Sequence, residues 1–328
     1  MIPLGPSGLM VSRIGLGCEV LGGADWGPVD ADLALRAVPA SLEHGINLFE
    51  TADVYGLGRS EELLSIALGS YRNRVAIASK FGLRGELIPG ETRARITRDC
   101  SARWVMAAVE QSLRRLKLES IPIYIVHWPD PATPIAETIA ALDGCRRAGK
   151  IRCIGVSNFS ASEIREAHQV TALDVVEVPY SLLDRRCETE ILPLCQELNI
   201  RVLAYGPLGQ GLLTGKYGPA HQFESNDRRG RLPQFRGDLF PENFQIVHRL
   251  HEIGLQYEIS PSQLAIRWVL DHPGVSAVIV GAKSPGHVKE NAGALGFTLA
   301  SSDYHYLANG QRGPAASEQQ SSYASSIT

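Results

Sequence analysis

Short runs of β-branched and apolar residues alternate, along nearly the whole chain, with segments whose apolar positions recur every three or four residues. The runs are RIGLG (13–17), INLFETA (46–52), RVAIASK (74–80), IPIYIVH (121–127), IRCIGVS (151–157), LDVVEVPY (173–180), IRVLAYG (200–206) and VSAVIVG (275–281). Their length and β-branched content suit strands, and the segments between them carry helical periods. Strand followed by helix predicts βαβ units around a parallel sheet, and eight repeats predict an α/β fold, a closed (β/α)8 TIM barrel. A doubly wound open sheet is the alternative on pattern alone.

Local signals add detail. The opening MIPLGPSGLMVSRIGLGC is punctuated by Pro3, Gly5, Pro6 and Gly8, which predicts a short N-terminal β-hairpin across the barrel bottom. SEEL and SASE place Ser60 and Ser160 at helix N-caps, with Glu62 and Glu163 near the capping-box position. Pro39 falls inside the first helix and is expected to kink it. Residues 206–243 form a long Gly/Pro/Arg-rich stretch of the kind that is functional or disordered. Its arginines, Arg228, Arg229, Arg231 and Arg236, are interspersed with acids and read as a solvated basic loop. One domain is expected over 1–308, and the Ser/Ala/Gln-rich 309–328 reads as a disordered tail.

Composition narrows the function. The 328 residues are 44% hydrophobic and 20% charged, enough to bury a full core. A net charge of −3 argues against a nucleic-acid or anionic-membrane surface and leaves a small-molecule site. No window approaches the roughly 20 apolar residues of a membrane span, and the N-terminus lacks a signal-peptide core, so a cytoplasmic location is expected. Six cysteines show neither a CxxC pair nor a metal-ligand spacing. They read as buried reduced thiols, with no metal.

Barrel enzymes place their chemistry at the C-terminal ends of the strands. There the second run leads to Glu50, Asp53 and Tyr55, the third ends at Lys80, the fourth at His127, the fifth at Ser157 and the sixth near Glu177 and Tyr180. Tyrosine, lysine, acid and histidine are what a carbonyl reduction needs. The hydroxyl gives a proton to the carbonyl oxygen, the ammonium lowers the phenol pKa, the acid holds the ammonium, and the imidazole adds a hydrogen bond. Singly, each also suits rim packing or a structural ion pair.

In order along the chain, FETADVYG, SKFG, IVHWPD, IGVSNFS, YSLLDR, YGPLGQGLLTGKY and GAKSPGHVKENAGAL resemble the aldo-keto reductase superfamily, in particular its bacterial and plant-type branch, which includes the potassium channel beta subunits. The resemblance implies a (β/α)8 barrel, NADPH/NADP+ as cofactor without a Rossmann fingerprint, and hydride transfer to an aldehyde, ketone or sugar carbonyl. It also leaves room for a cofactor-binding regulatory protein with slow turnover, or for a dehydrogenase working in the oxidative direction.

Carried over by position, the resemblance makes Tyr55 the proton donor, Lys80 its partner, His127 the substrate-orienting group and Glu50 the acid, where the family usually has aspartate. Ser157 and Asn158 should meet the nicotinamide carboxamide and Tyr180 should stack on the ring. Gly206, Leu208, Gly211 and Lys216 should approach the pyrophosphate. Gly281, Lys283, Ser284, His287, Glu290 and Asn291 should surround the adenosine end. Glu177 stands where glutamine is usual, and its charge would favour the positive, oxidised ring. Trp26, Phe81 and Trp128 are expected to line the substrate pocket.

Overall fold

The structure is a computed structural model that describes residues 1–5, 8–23, 26–88, 94–218, 221–224, 226–237 and 239–311. The expected tail lies outside the described residues from 312 onward. A two-stranded hairpin, β1 (Ile2–Leu4) and β2 (Leu9–Val11), opens the chain. The eight expected runs then form one closed barrel: β3 (Ile14–Gly17), β4 (Leu48–Glu50), β5 (Ala76–Phe81), β8 (Ile121–Val126), β9 (Ile151–Ser157), β10 (Val175–Pro179), β11 (Arg201–Tyr205) and β12 (Ala277–Gly281). Between β5 and β8 a second hairpin, β6 (Leu83–Glu86) with β7 (Arg95–Arg98), stands on the rim; the runs carried no expectation of it. The helices among the described residues are α1 (Ala31–Glu43), α2 (Arg59–Leu68), α3 (Ala102–Leu116), α4 (Ile135–Arg147), α5 (Ala161–Val170), α6 (Ile191–Glu197), α7 (Leu239–Tyr257), α8 (Pro261–Asp271), α9 (Pro285–Ala292) and α10 (Ser301–Asn309). Adjacent barrel strands are parallel throughout, which excludes the open-sheet alternative.

Strand alternation divides the core in two. Leu48, Ala76, Ala78, Ile123, Ile125, Cys153, Val175, Leu203, Ala277 and Ile279 point into the barrel, and Leu4 and Val11 of the N-terminal hairpin close it from below. The intervening residues face the helices and form the larger core. Filling the lower barrel with aliphatic side chains leaves only its upper end for polar chemistry.

Two local expectations divide. Ser160 caps α5 with a full capping box to Glu163. Ser60 is not a cap: α2 begins one residue earlier, after Gly58 at φ 94°, and the Ser60 hydroxyl donates to the Cys18 carbonyl at 2.7 Å. Pro39 lies inside α1, which continues to Glu43. All six cysteines are free and buried. Among the described residues no helix is long and apolar enough to cross a membrane, and no cluster could hold a metal ion.

Candidate active site

The inward positions at the upper rim are polar. Glu50 ends β4, Lys80 comes next-to-last in β5, His127 follows β8, Ser157 ends β9, and Glu177 sits mid-way along β10. Each continues the inward parity of the aliphatic residues beneath it, so a strand's period of two aims these groups at one space. Lys80 is 1% exposed, Glu177 2% and Glu50 4%.

Lys80 Nζ is the hub. It pairs with Glu50 Oε1, donates to the Tyr55 hydroxyl at 3.2 Å and to the Thr51 carbonyl at 3.4 Å, and lies 3.5 Å from Glu177 Oε1. The Tyr55 hydroxyl in turn donates to Glu50 Oε1 at 3.2 Å. The longer acid therefore reaches both the ammonium and the phenol. Tyr55 itself is fixed by a close backbone crossing behind it. A Cβ at Gly56, which has φ +59°, would come within 2.4 Å of the Gly22 carbonyl oxygen.

His127 meets Tyr55 edge-on, with ring centroids 5.7 Å apart, and its Nδ1 is buried without a partner. Asn158, held at φ 61°, donates to the His127 carbonyl at 3.0 Å and the Ser157 hydroxyl at 3.1 Å, and accepts from the Tyr205 hydroxyl at 2.8 Å.

Burial sets the protonation states. It pushes the Tyr55 phenol well above the ordinary tyrosine range, and the negative charges of Glu19 and Glu177 push the same way. Burial also lowers Lys80, against which Glu177 and Glu19 work. His127 is held well below its ordinary value by burial and by the charge of Lys80, so the imidazole is neutral. A protonated phenol, an ammonium and a neutral imidazole together can deliver a proton to an oxygen and hold the charge left behind.

Two expected residues lie elsewhere. Tyr180, 1% exposed, packs its ring at 5.3 Å from Trp268 and donates to Glu188 at 2.6 Å, in the layer between barrel and helices. It lies three positions beyond inward-facing Glu177, hence on the outer face. The aromatic at the inner rim is Tyr205 on β11, two positions after inward Leu203. Phe81 is likewise fully buried outside the barrel, stacked 5.1 Å from Tyr124. Counting parity from Lys80 would have found this.

Trp128 is 37% exposed at the mouth, with the Arg98 guanidinium of β7 5.2 Å above its ring. Trp26 is sandwiched rather than open. Arg228 lies 4.1 Å over its ring, and the Lys283 ammonium donates to its carbonyl at 2.9 Å. Two of the long loop's four arginines are correspondingly not solvated: Arg228 forms a two-pronged pair with Glu19, and Arg229 is buried against Asp227 and Tyr217, whereas Arg231 and Arg236 are exposed as expected.

Gly206, Gly209 and Gly211 all take positive φ after β11, with Leu208 among them and Lys216 beyond. Past β12, which ends at Gly281, Ser284 caps α9, and His287 Nδ1 accepts from the Lys283 amide at 3.2 Å. Asn291 holds the Gly281 carbonyl at 3.3 Å, and Glu290 accepts from Ser260. Lys283, Lys216, Arg229 and His287 form a basic group around the start of α9, where burial and the neighbouring Arg229 lower Lys283 to about 8.

Comparison with known proteins agrees with the barrel fold. The profile of the Aldo/keto reductase family matches residues 13–309. Aldo-keto reductase YhdN of Bacillus subtilis is 38% identical over 303 residues, 90% of this chain and 89% of its own. An NADH-specific methylglyoxal reductase of Escherichia coli is 34% identical, over 92% of this chain and 95% of its own. Among solved structures, the glycerol dehydrogenase AKR11B4 from Gluconobacter oxydans superposes with a TM-score of 0.84 at 36% identity, covering 90% of each chain. With the barrel fold and near-complete coverage in agreement, this chain belongs to the aldo/keto reductase family of oxidoreductases.

Proposed function

We propose that the protein is an NADPH-dependent reductase of aldehydes, ketones or sugar carbonyls, with Tyr55 as the proton donor. The observation that carries this reading is the Tyr55 hydroxyl, 3.2 Å from both Glu50 Oε1 and Lys80 Nζ at the open end of the barrel. The nicotinamide, when bound, supplies a hydride for the carbonyl carbon. Tyr55 keeps its proton on Glu50 until a carbonyl oxygen competes for it, then gives it to that oxygen and becomes a phenolate against the Lys80 ammonium. Neutral His127 adds a hydrogen bond to the same oxygen. Because burial keeps the phenol protonated, the donor is loaded at neutral pH. The reverse reaction would need Tyr55 as a base, which the same burial disfavours.

The chain's residues fit a dinucleotide. Ser157, Asn158 and the orphaned Glu177 Oε2 suit an amide-bearing ring, and the glycines after β11 let backbone approach a pyrophosphate. Lys283, Lys216 and Arg229 around the start of α9, with the Ser284 cap, suit a ribose phosphate and favour NADPH over NADH. Trp128 and Arg98 at the mouth suit a flat or polyhydroxylated substrate.

Consumption of NADPH and of NADH against aryl aldehydes, short ketones, 2-oxoaldehydes and keto-sugars tests the reading. Turnover of at least one class, with the lower KM for NADPH, is expected. Tight dinucleotide binding with no carbonyl reduced would overturn it.

A further inference from the structure

Glu177 is a buried acid for which the proton transfer from Tyr55 has no use. Its Oε1 lies 3.5 Å from Lys80 Nζ, and its Oε2 is buried without any hydrogen-bond partner. Lys80 is already paired with Glu50 and donates to Tyr55. One ammonium thus faces two carboxylates in a space nearly closed to water.

The other ionisable groups around this point are Tyr55 after β4, Tyr205 on β11, His127 after β8, and Cys18 and Glu19 after β3. None supplies a second positive charge: the phenols, thiol and imidazole are neutral, and Arg228 is matched by Glu19. With both carboxylates ionised, the space holds one negative charge more than positive, which burial opposes. Burial accordingly pushes the Glu177 carboxyl up, against the pull of Lys80.

A carbonyl oxygen that takes the Tyr55 proton must sit on that hydroxyl, so the hydride donor must stand within a few ångströms of it. Glu177 is two short polar contacts from the same hydroxyl, through Lys80. A ring that is neutral when reduced and positive when oxidised therefore changes its charge within Coulomb range of Glu177. Resting on the reading of the site as a nicotinamide-dependent reductase, we propose that Glu177 discriminates the two redox states of the cofactor. The oxidised dinucleotide binds with Glu177 ionised and releases its proton to solvent, whereas the reduced dinucleotide binds without that release.

The test is the ratio of NADP+ to NADPH dissociation constants, measured by quenching of tryptophan fluorescence from about pH 5 to about pH 8 in wild type and Glu177→Gln. Taking the ratio cancels titration of the ribose phosphate, which both forms carry. In wild type the ratio is expected to shift toward NADP+ as pH rises above the ordinary glutamate range, then to level. In Glu177→Gln the slope disappears, and NADP+ weakens relative to NADPH by about tenfold or more. A wild-type ratio that is flat across this range overturns the proposal whether or not the variant folds, as does a variant that keeps the wild-type ratio and slope. Failure of wild type to bind either dinucleotide would overturn the parent reading and this proposal with it.

Discussion

The inner and outer faces of the same barrel strands are built on opposite rules. On the outer face, Phe81 stacks on Tyr124, Tyr180 packs against Trp268, and Trp268 stacks on Tyr304 at 5.2 Å. On the inner face at the rim, Glu50, Lys80, His127 and Glu177 crowd into one space, and two of them keep a buried atom without a partner. Folding alone would not favour that arrangement, since buried polar groups left unsatisfied each cost about 1–3 kcal/mol. The difference teaches that one residue of register decides whether an aromatic or a charge at a strand end stabilises the barrel or stands ready for a ligand.

The largest expected effect comes from removing the hub. Lys80→Met leaves Glu50 and Glu177 buried without a counter-ion, which should abolish carbonyl reduction and cost about 3–5 kcal/mol in urea unfolding. A variant as stable as wild type would show that the ammonium is not what holds the two acids. On the outer face, Phe81→Ala should cost a similar 3–5 kcal/mol or so by opening a cavity beside Tyr124. KM for the carbonyl should move less than about threefold, because the ring is outside the barrel. A large rise in KM would put Phe81 back in the pocket.

The two tyrosines sharpen the contrast further. Tyr205→Phe frees the Asn158 side chain and should weaken NADPH binding about fivefold, equivalent to one hydrogen bond of roughly 1 kcal/mol. Tyr180→Phe should lower stability by about 1 kcal/mol through loss of its bond to Glu188, and leave the NADPH constant unchanged. Equal effects on binding would erase the distinction between the faces.

Asp53 gives the smallest effect. Burial, with Glu61 adding to it, holds its carboxyl well above the ordinary range, and its Oδ1 has no partner. A raised folded-state pKa means the ionised acid destabilises at neutral pH and ceases to as pH falls toward the folded value. Asp53→Asn should therefore raise Tm by a few degrees at about pH 8 and lose that gain in acid. A gain independent of pH would contradict this.

Most of the barrel was legible because eight buried parallel strands read as eight apolar runs, and the acid, tyrosine, lysine and histidine fall at their ends. What failed is equally physical. Tyr180 and Phe81 lie in the right runs but on the wrong parity, which counting from Glu177 and Lys80 would have corrected. The β6–β7 hairpin is exposed and short, so it lacks an apolar signature. Ser60 follows Gly58, whose left-handed turn starts the helix early without a side-chain cap. The pairings of the long loop's arginines with Glu19 and Asp227 depend on tertiary contacts, and the sharing of Lys80 between Glu50 and Glu177 depends on barrel closure.

The most direct test of Tyr55 as proton donor is the single-turnover rate of NADPH oxidation by Tyr55→Phe with the best carbonyl substrate. The rate should fall by about 100-fold to 10,000-fold while the NADPH dissociation constant stays within about twofold of wild type. A variant that keeps its rate within a few-fold would show that the proton comes from another group.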